Sequence, residues 1–131
     1  MREVLQTAKT IAVLGISANL EKPAHYVPQY MAQHSYTILP VNASLLGTEL
    51  FGQPVRATLA ELESAVDIVN IFRRAEVLES HLSDILAMSP RPKLVWLQLG
   101  IRNDEFASHL LEAGIEVVQD RCLMADHRQL I

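Results

Sequence analysis

Short apolar runs alternate with helix-like segments along this chain, and that alternation restricts its fold more than any other feature. The runs are Ile11 to Gly15, Tyr36 to Val41, Asp67 to Phe72, Leu94 to Leu99 and Ile115 to Val118. Continuous rather than alternating hydrophobicity suits strands buried on both faces, as in a parallel sheet. Between the runs lie helical patterns. One covers Ala24 to His34 and contains Pro28, which is tolerated only in a helix's first turn, so its start is expected nearer Tyr26. Leu78, Leu82, Ile85 and Leu86 recur at helical spacing and stop before Pro90 and Pro92. Asn103 caps a further helix with Asp104 and Glu105 in its first turn and Gly114 at its end, and Leu123 to Ile131 forms the last. Residues 42 to 57 read as a loop with a brief edge strand at Pro54 to Arg56, followed by a capping box of Thr58 and Glu61.

Strand alternating with helix implies right-handed crossovers and a sheet covered on both faces. The expected fold is therefore α/β: a Rossmann-like, doubly wound parallel sheet of five to six strands in a single three-layer domain spanning 1–131. No repeat or linker divides the chain. In such sheets ligands bind beyond the carboxyl ends of the strands, where the strand order reverses. That rule nominates Gly15 to Lys22, Asn42, Phe72 to Arg74, Gln98 to Arg102 and Asp120 to Cys122.

Charge and cysteine content narrow the partners. Fifteen acidic residues against eleven basic ones give a net charge of −4. Broad nucleic-acid binding needs many cations tracking phosphates, so no nucleic-acid partner is expected. A small anion needs no net positive charge when backbone N–H groups and a helix N-terminus hold it. The lone Cys122 suits a reducing compartment, and Met1 to Lys9 is polar with no apolar leader, so a cytoplasmic protein without a membrane span is expected. His25, His34, His81, His109 and His127 show no metal-ligand spacing, and no metal is expected.

The turn from Gly15 through Ile16, Ser17 and Asn19 stands where a Rossmann phosphate loop would be. Gly15 lets backbone approach a diphosphate, and Ser17 and Asn19 supply polar groups. The second and third glycines of the dinucleotide fingerprint are missing, and a plain strand-to-helix turn reads equally well. Pro40-Val41-Asn42 ends the second strand with no carboxylate for a ribose, which argues against NAD. Trp96 reads as core, Cys122 as a small buried hydrophobe, and Asp126-His127-Arg128 as a solvated helix face.

In their order along the chain, Val13-Leu14-Gly15-Ile16-Ser17, Leu39-Pro40-Val41-Asn42, Val66 to Arg73, Val95 to Asn103 and Asp120-Arg121-Cys122 carry a resemblance. The chain resembles the small stand-alone bacterial CoA-binding domain proteins, which are similar to the CoA-binding domain of the succinyl-CoA synthetase α subunit. It departs from their usual pattern at Ala43, where proline is common. The resemblance implies coenzyme A across the carboxyl edge: diphosphate on the first turn, adenosine near Pro40 to Asn42, Phe72 and Arg73 lining the crevice, and pantetheine running toward Gln98 and Gly100. Lys22 and Arg73 are the cations expected to reach a 3′-phosphate. No nucleophile–base pair is legible, so no catalytic residue is assigned and non-catalytic binding of coenzyme A or an acyl-CoA is the leading expectation. The alternatives are an enzyme acting on CoA thioesters or another nucleotide, and a regulatory module that has lost its ligand. Oligomeric state is open.

Overall fold

The computed structural model describes residues 1–131. Its central sheet has five parallel strands: β1 (Thr10–Leu14), β2 (Thr37–Val41), β5 (Ile68–Ile71), β6 (Leu94–Leu97) and β7 (Glu116–Val118), in the order β2-β1-β5-β6-β7. Two short strands, β3 (Glu49–Leu50) and β4 (Gln53–Pro54), form a separate antiparallel hairpin. This is the expected doubly wound α/β fold, and its order reverses between β1 and β5.

Successive residues of each central strand supply opposite cores. Ala12, Leu14, Val69, Ile71, Val95 and Leu97 face one side, while Ile11, Val13, Ile68, Leu94 and Trp96 face the other. The first core is closed by Leu78 of a 3-10 segment, Ile85 of α3 (Leu82–Leu86) and Phe106 and Leu110 of α4 (Asp104–Glu112). The second is closed by Leu5 of α1 (Arg2–Thr7), Val27 and Met31 of α2 (Pro23–Gln33) and Leu123 of α5 (Leu123–Leu130). Burial on both faces is why these strands read as unbroken apolar runs. Trp96 is fully buried, as expected of a core residue, and its indole N–H donates to the Arg121 carbonyl at 2.7 Å. No helix is long and apolar enough to cross a membrane.

Pro40 sits in an edge strand on residues that point outward. Thr37 and Val41 bond to β1, through Thr37 N–H to the Lys9 carbonyl and Gly15 N–H to the Val41 carbonyl, so Pro40 lacks no ladder bond. The expected sixth strand shrinks to one bridge between Val41 and Arg56, in which Arg56 N–H donates to the Pro40 carbonyl. At the amino edge, the Asp67 carboxylate accepts from Lys9 N–H at 2.7 Å and Thr10 N–H at 3.1 Å. Partial burial alone would push that carboxyl up, but these bonds and the Thr10 hydroxyl hold it below its ordinary value.

Several local expectations give way to tertiary structure. The polar start of the chain is a helix, because Leu5 is buried and its carbonyl accepts from the Tyr36 hydroxyl. Thr58 makes no capping bond to backbone, and Leu59–Glu61 is only a 3-10 turn. The segment around Leu78 is a 3-10 helix, Ala75–His81, that becomes α-helical only at Leu82. Asn103 does cap α4, accepting from Phe106 N–H at 3.0 Å.

Asp126 and His127 correct the reading of a solvated face, since both are buried. Asp126 pairs with Arg121 at 2.5 Å, and His127 Nδ1 meets the Tyr30 hydroxyl at 2.8 Å. Desolvation, with the nearby His34, pushes the His127 pKa below its ordinary value. A depressed histidine pKa means that the unfolded chain binds the proton first, so its contribution to stability is present above about pH 6.5 and falls as pH drops toward the folded pKa. Thermal unfolding followed from pH 7.5 to 5.5 should therefore show a falling Tm. Replacing His127→Gln, which keeps an acceptor for Tyr30, should flatten that slope by up to roughly 1.4 kcal/mol per pH unit; an unchanged slope refutes the assignment.

Candidate functional site

The site begins where β1 ends. Leu14 C=O accepts from Phe72 N–H at 2.8 Å and Gly15 N–H donates to Val41 C=O at 2.9 Å, so β1 is bonded to both neighbours up to its last residue. Gly15 then turns with φ +86, and a Cβ there would lie 2.6 Å from the Phe72 carbonyl oxygen. Glycine is thus required by the close passage of protein backbone as well as by the left-handed turn. This adds a structural reason to the approach toward diphosphate read from the sequence.

From Gly15 to Lys22 the chain forms a loop with a defined polarity. The Ile16 carbonyl accepts from Asn42 Nδ2 at 2.7 Å, and the Ser17 carbonyl lies 2.7 Å from Nδ1 of the buried His25, which therefore carries the proton. Asn42 Oδ1 in turn accepts from Ser44 N–H. Two loop carbonyls are held on protein donors, while the amides of Ile16, Ala18 and Ala24 meet no acceptor in the protein. All three residues line a hollow of about 330 Å³ with Ser17, Lys22 and Phe72. Unpaired amides gathered at a helix N-terminus make an anion-binding concavity.

Pro28 contributes to this arrangement and corrects the expected helix start. The helix α2 begins at Pro23, which occupies its first position, so Pro28 lies inside it. A proline has no N–H to give the carbonyl four residues earlier, which is Ala24. The loop amide of Ser17 donates to that carbonyl at 3.1 Å instead. The gap that should break the helix is filled by the phosphate-loop candidate.

Beside this hollow lies a crevice of about 490 Å³, sharing Lys22, Ala24 and Phe72 with it and extending to Arg73, Gln98 and Gly100. Lys22, Arg73 and Arg74 form no ion pair within the protein, so their charge is available to a ligand. Gly15, Ile16, Ser17, Lys22, Asn42, Phe72, Arg73, Gln98 and Gly100 therefore gather around two adjoining hollows at the carboxyl edge. Asn19 and Pro40 line neither. Asn19 Oδ1 accepts from Glu21 N–H within the loop, and Pro40 borders a different hollow with Gln53 and Arg56. His25 and Ala24 were missed from sequence, whereas Arg74 lies in the nominated stretch Phe72 to Arg74. The signal for the first two was Pro23 itself, which marks a helix start and puts the next residues in its first turn. Glu79, Glu105 and His109 bring ligand atoms within 4.8 Å of one another, but all three are exposed and line neither hollow.

The family described as CoA binding domain matches residues 9–128. The chain belongs to this CoA-binding domain family. YneT of Bacillus subtilis (strain 168) is 34% identical over 127 residues, covering 97% of this chain and 91% of that protein. Among solved structures, cell-free ID.343 from Thermus thermophilus is 50% identical with a TM-score of 0.96, covering 99% of this chain and 96% of that one. A protein of Pyrococcus horikoshii OT3 is 28% identical with a TM-score of 0.89, covering 98% and 88%. These two solved structures thus share the fold over nearly the full chain.

The Gly15 geometry gives a direct test. Gly15→Ala introduces a Cβ against the Phe72 carbonyl at a positive φ, and strain of this kind costs about 1–3 kcal/mol before the clash is counted. Urea unfolding should show a loss of at least about 2 kcal/mol; a wild-type midpoint would mean that the two backbones do not meet.

Proposed function

We propose that the protein binds coenzyme A, free or acylated, at the carboxyl edge of its sheet and performs no chemistry on it. The observation that carries this reading is the loop from Gly15 to Lys22, whose carbonyls are held by Asn42 and His25 and whose free amides line a hollow at the start of α2. In this reading the diphosphate rests on the amides of Ala18 and Ala24, with the Ser17 hydroxyl as a further donor. Asn42 acts mainly by fixing the loop. The pantetheine arm runs along the crevice past Phe72 and Arg73 toward Gln98 and Gly100.

Membership of the CoA-binding domain family supports the ligand. Absence of a carboxylate at the end of β2, where Val41 leads into Asn42, supports CoA over NAD. The crevice offers cations, an aromatic ring and a carboxamide, which are groups that bind, beside a single carboxylate, Glu76. A cytoplasmic setting, where free CoA is abundant and Cys122 stays reduced, fits this use.

Two measurements test the proposal. CoA at a hundredfold excess over its Kd should stabilise the fold by about 2.7 kcal/mol, raising Tm, while NAD and NADP should not; equal shifts, or turnover of an acyl-CoA panel, overturn it. Calorimetry of Lys22→Ala and Arg73→Ala should show about tenfold to a hundredfold weaker CoA binding and nearly unchanged dephospho-CoA binding, since each charge-assisted bond to the 3′-phosphate is worth about 1.5–3 kcal/mol. Equal losses on both ligands would refute the role given to these cations.

A further inference from the structure

The hairpin of β3 and β4 breaks a local rule at its tip. Leu50 pairs with Gln53, so Phe51 and Gly52 alone make the turn. Both stand in the left-handed region, at φ +53 and +78. A two-residue hairpin turn with both central residues there is type I′, and its first position favours asparagine, aspartate or glycine. Gly52 fits that turn. A bulky aromatic residue at φ +53 does not, because its Cβ crowds the following carbonyl. Such a residue is held in place by its surroundings, and that directs attention to what its side chain does.

The Phe51 ring is half-buried, packed against the second core. Its centroid lies 5.2 Å from that of His25, with the two planes inclined at 42°. His25 is buried beneath it, and its Nδ1–H donates to the Ser17 carbonyl at 2.7 Å. A hydrogen bond shielded from water is stronger than one that water can contest. The Ser17 carbonyl belongs to the same planar trans peptide as the Ala18 N–H, so the two point in opposite directions. Holding that carbonyl on His25 therefore turns the Ala18 N–H the other way, and this amide has no protein acceptor. The segment from Asn42 to the hairpin thus grips the loop twice: directly, through Asn42 Nδ2 on the Ile16 carbonyl, and through Phe51 and His25 on the Ser17 carbonyl.

We infer that Phe51 is a positioning residue for the loop after β1: its ring keeps the His25 imidazole on the Ser17 carbonyl, and so keeps the Ala18 N–H presented to an anion. Phe51 lines neither hollow, so it acts through His25 and not by touching the ligand. The identity of the ligand rests on the CoA reading above, whereas the link from Phe51 to Ala18 is present in the free protein.

The experiment compares wild type with Phe51→Asn and Phe51→Gly, which remove the ring but give the turn residues it prefers, and with Phe51→Tyr, which keeps the ring. Two quantities are measured: solvent exchange of the His25 Nδ1 proton, by NMR of the free protein, and CoA affinity, by calorimetry. Without the ring the proton should exchange faster. CoA should then bind about three- to tenfold more weakly, the worth of one hydrogen bond, while Phe51→Tyr should stay within about twofold of wild type. Weaker CoA binding with unchanged exchange would mean that the ring does not act through His25. Faster exchange with unchanged CoA binding would mean that the loop carbonyl does not govern the ligand. Either result overturns the inference, as does a Phe51→Tyr variant that behaves like Phe51→Asn. If neither Phe51→Asn nor Phe51→Gly folds, Phe51 serves the fold alone and the inference fails. If wild type binds no CoA, the underlying reading fails; the exchange measurement needs no ligand and still decides whether Phe51 holds His25 in place.

Discussion

The contact between Gly15 and the Phe72 carbonyl fixes the rest of the molecule. It occurs where β1 and β5, the two strands on either side of the order reversal, reach their carboxyl ends. Up to that point β1 is bonded to both neighbours; past it the chain after β1 goes to α2 and the chain after β5 goes to the segment beginning at Ala75. The two connections leave on opposite faces of the sheet, and the space they open between them is the crevice. A side chain at position 15 would push the two strands apart where they end. Gly15 therefore serves the fold and the proposed site together.

For an acidic protein, the proposed binding of a polyanion depends on local arrangement rather than on total charge. Here the arrangement is a chain of backbone orientations. Pro28 frees the Ala24 carbonyl, Ser17 N–H takes it, His25 and Asn42 take the carbonyls of Ser17 and Ile16, and the amides of Ala18 and Ala24, two residues that line the hollow, are left without a protein acceptor. Each step is an ordinary hydrogen bond, worth little by itself. Together they fix the loop before any ligand arrives, so that binding does not require the loop to be ordered at that moment. The unpaired Lys22, Arg73 and Arg74 add charge only at the rim of this neutral framework.

The sheet was legible in the sequence because burial on both faces leaves a continuous apolar run, and that signal does not depend on distant residues. The carboxyl-edge position of the hollows was legible for the same reason, being a property of parallel sheets. What escaped depends on partners far along the chain. The helix α1 has one buried apolar residue, Leu5, and gains its anchor from Tyr36, which lies beyond β1 and α2. The start of α2 was misplaced because the rule against internal proline assumes that nothing outside the helix can use the freed carbonyl. His25 looked like any helix histidine until the loop carbonyl was placed beside it. His127 looked solvated because Tyr30, its partner, lies far away in α2, whereas the partner of Asp126, Arg121, is near in sequence but stands just before α5, outside the helical pattern.

Polar groups buried in this protein divide into two sets by the end of the sheet that they serve. At the amino edge Asp67 ties the starts of β1 and β5 together, and the Tyr30–His127 bond holds α2 to α5. These bonds are complete within the protein and leave nothing for a ligand, so they bear on stability alone. At the carboxyl edge the pattern is the reverse: Gln98, Ile16, Ala18 and Ala24 each retain a donor with no protein acceptor. The helix α5 touches both sets, with Leu123 N–H on Gln98 at one end and His127 on Tyr30 at the other. Donors without a protein acceptor around two adjoining hollows are what the proposed ligand would complete.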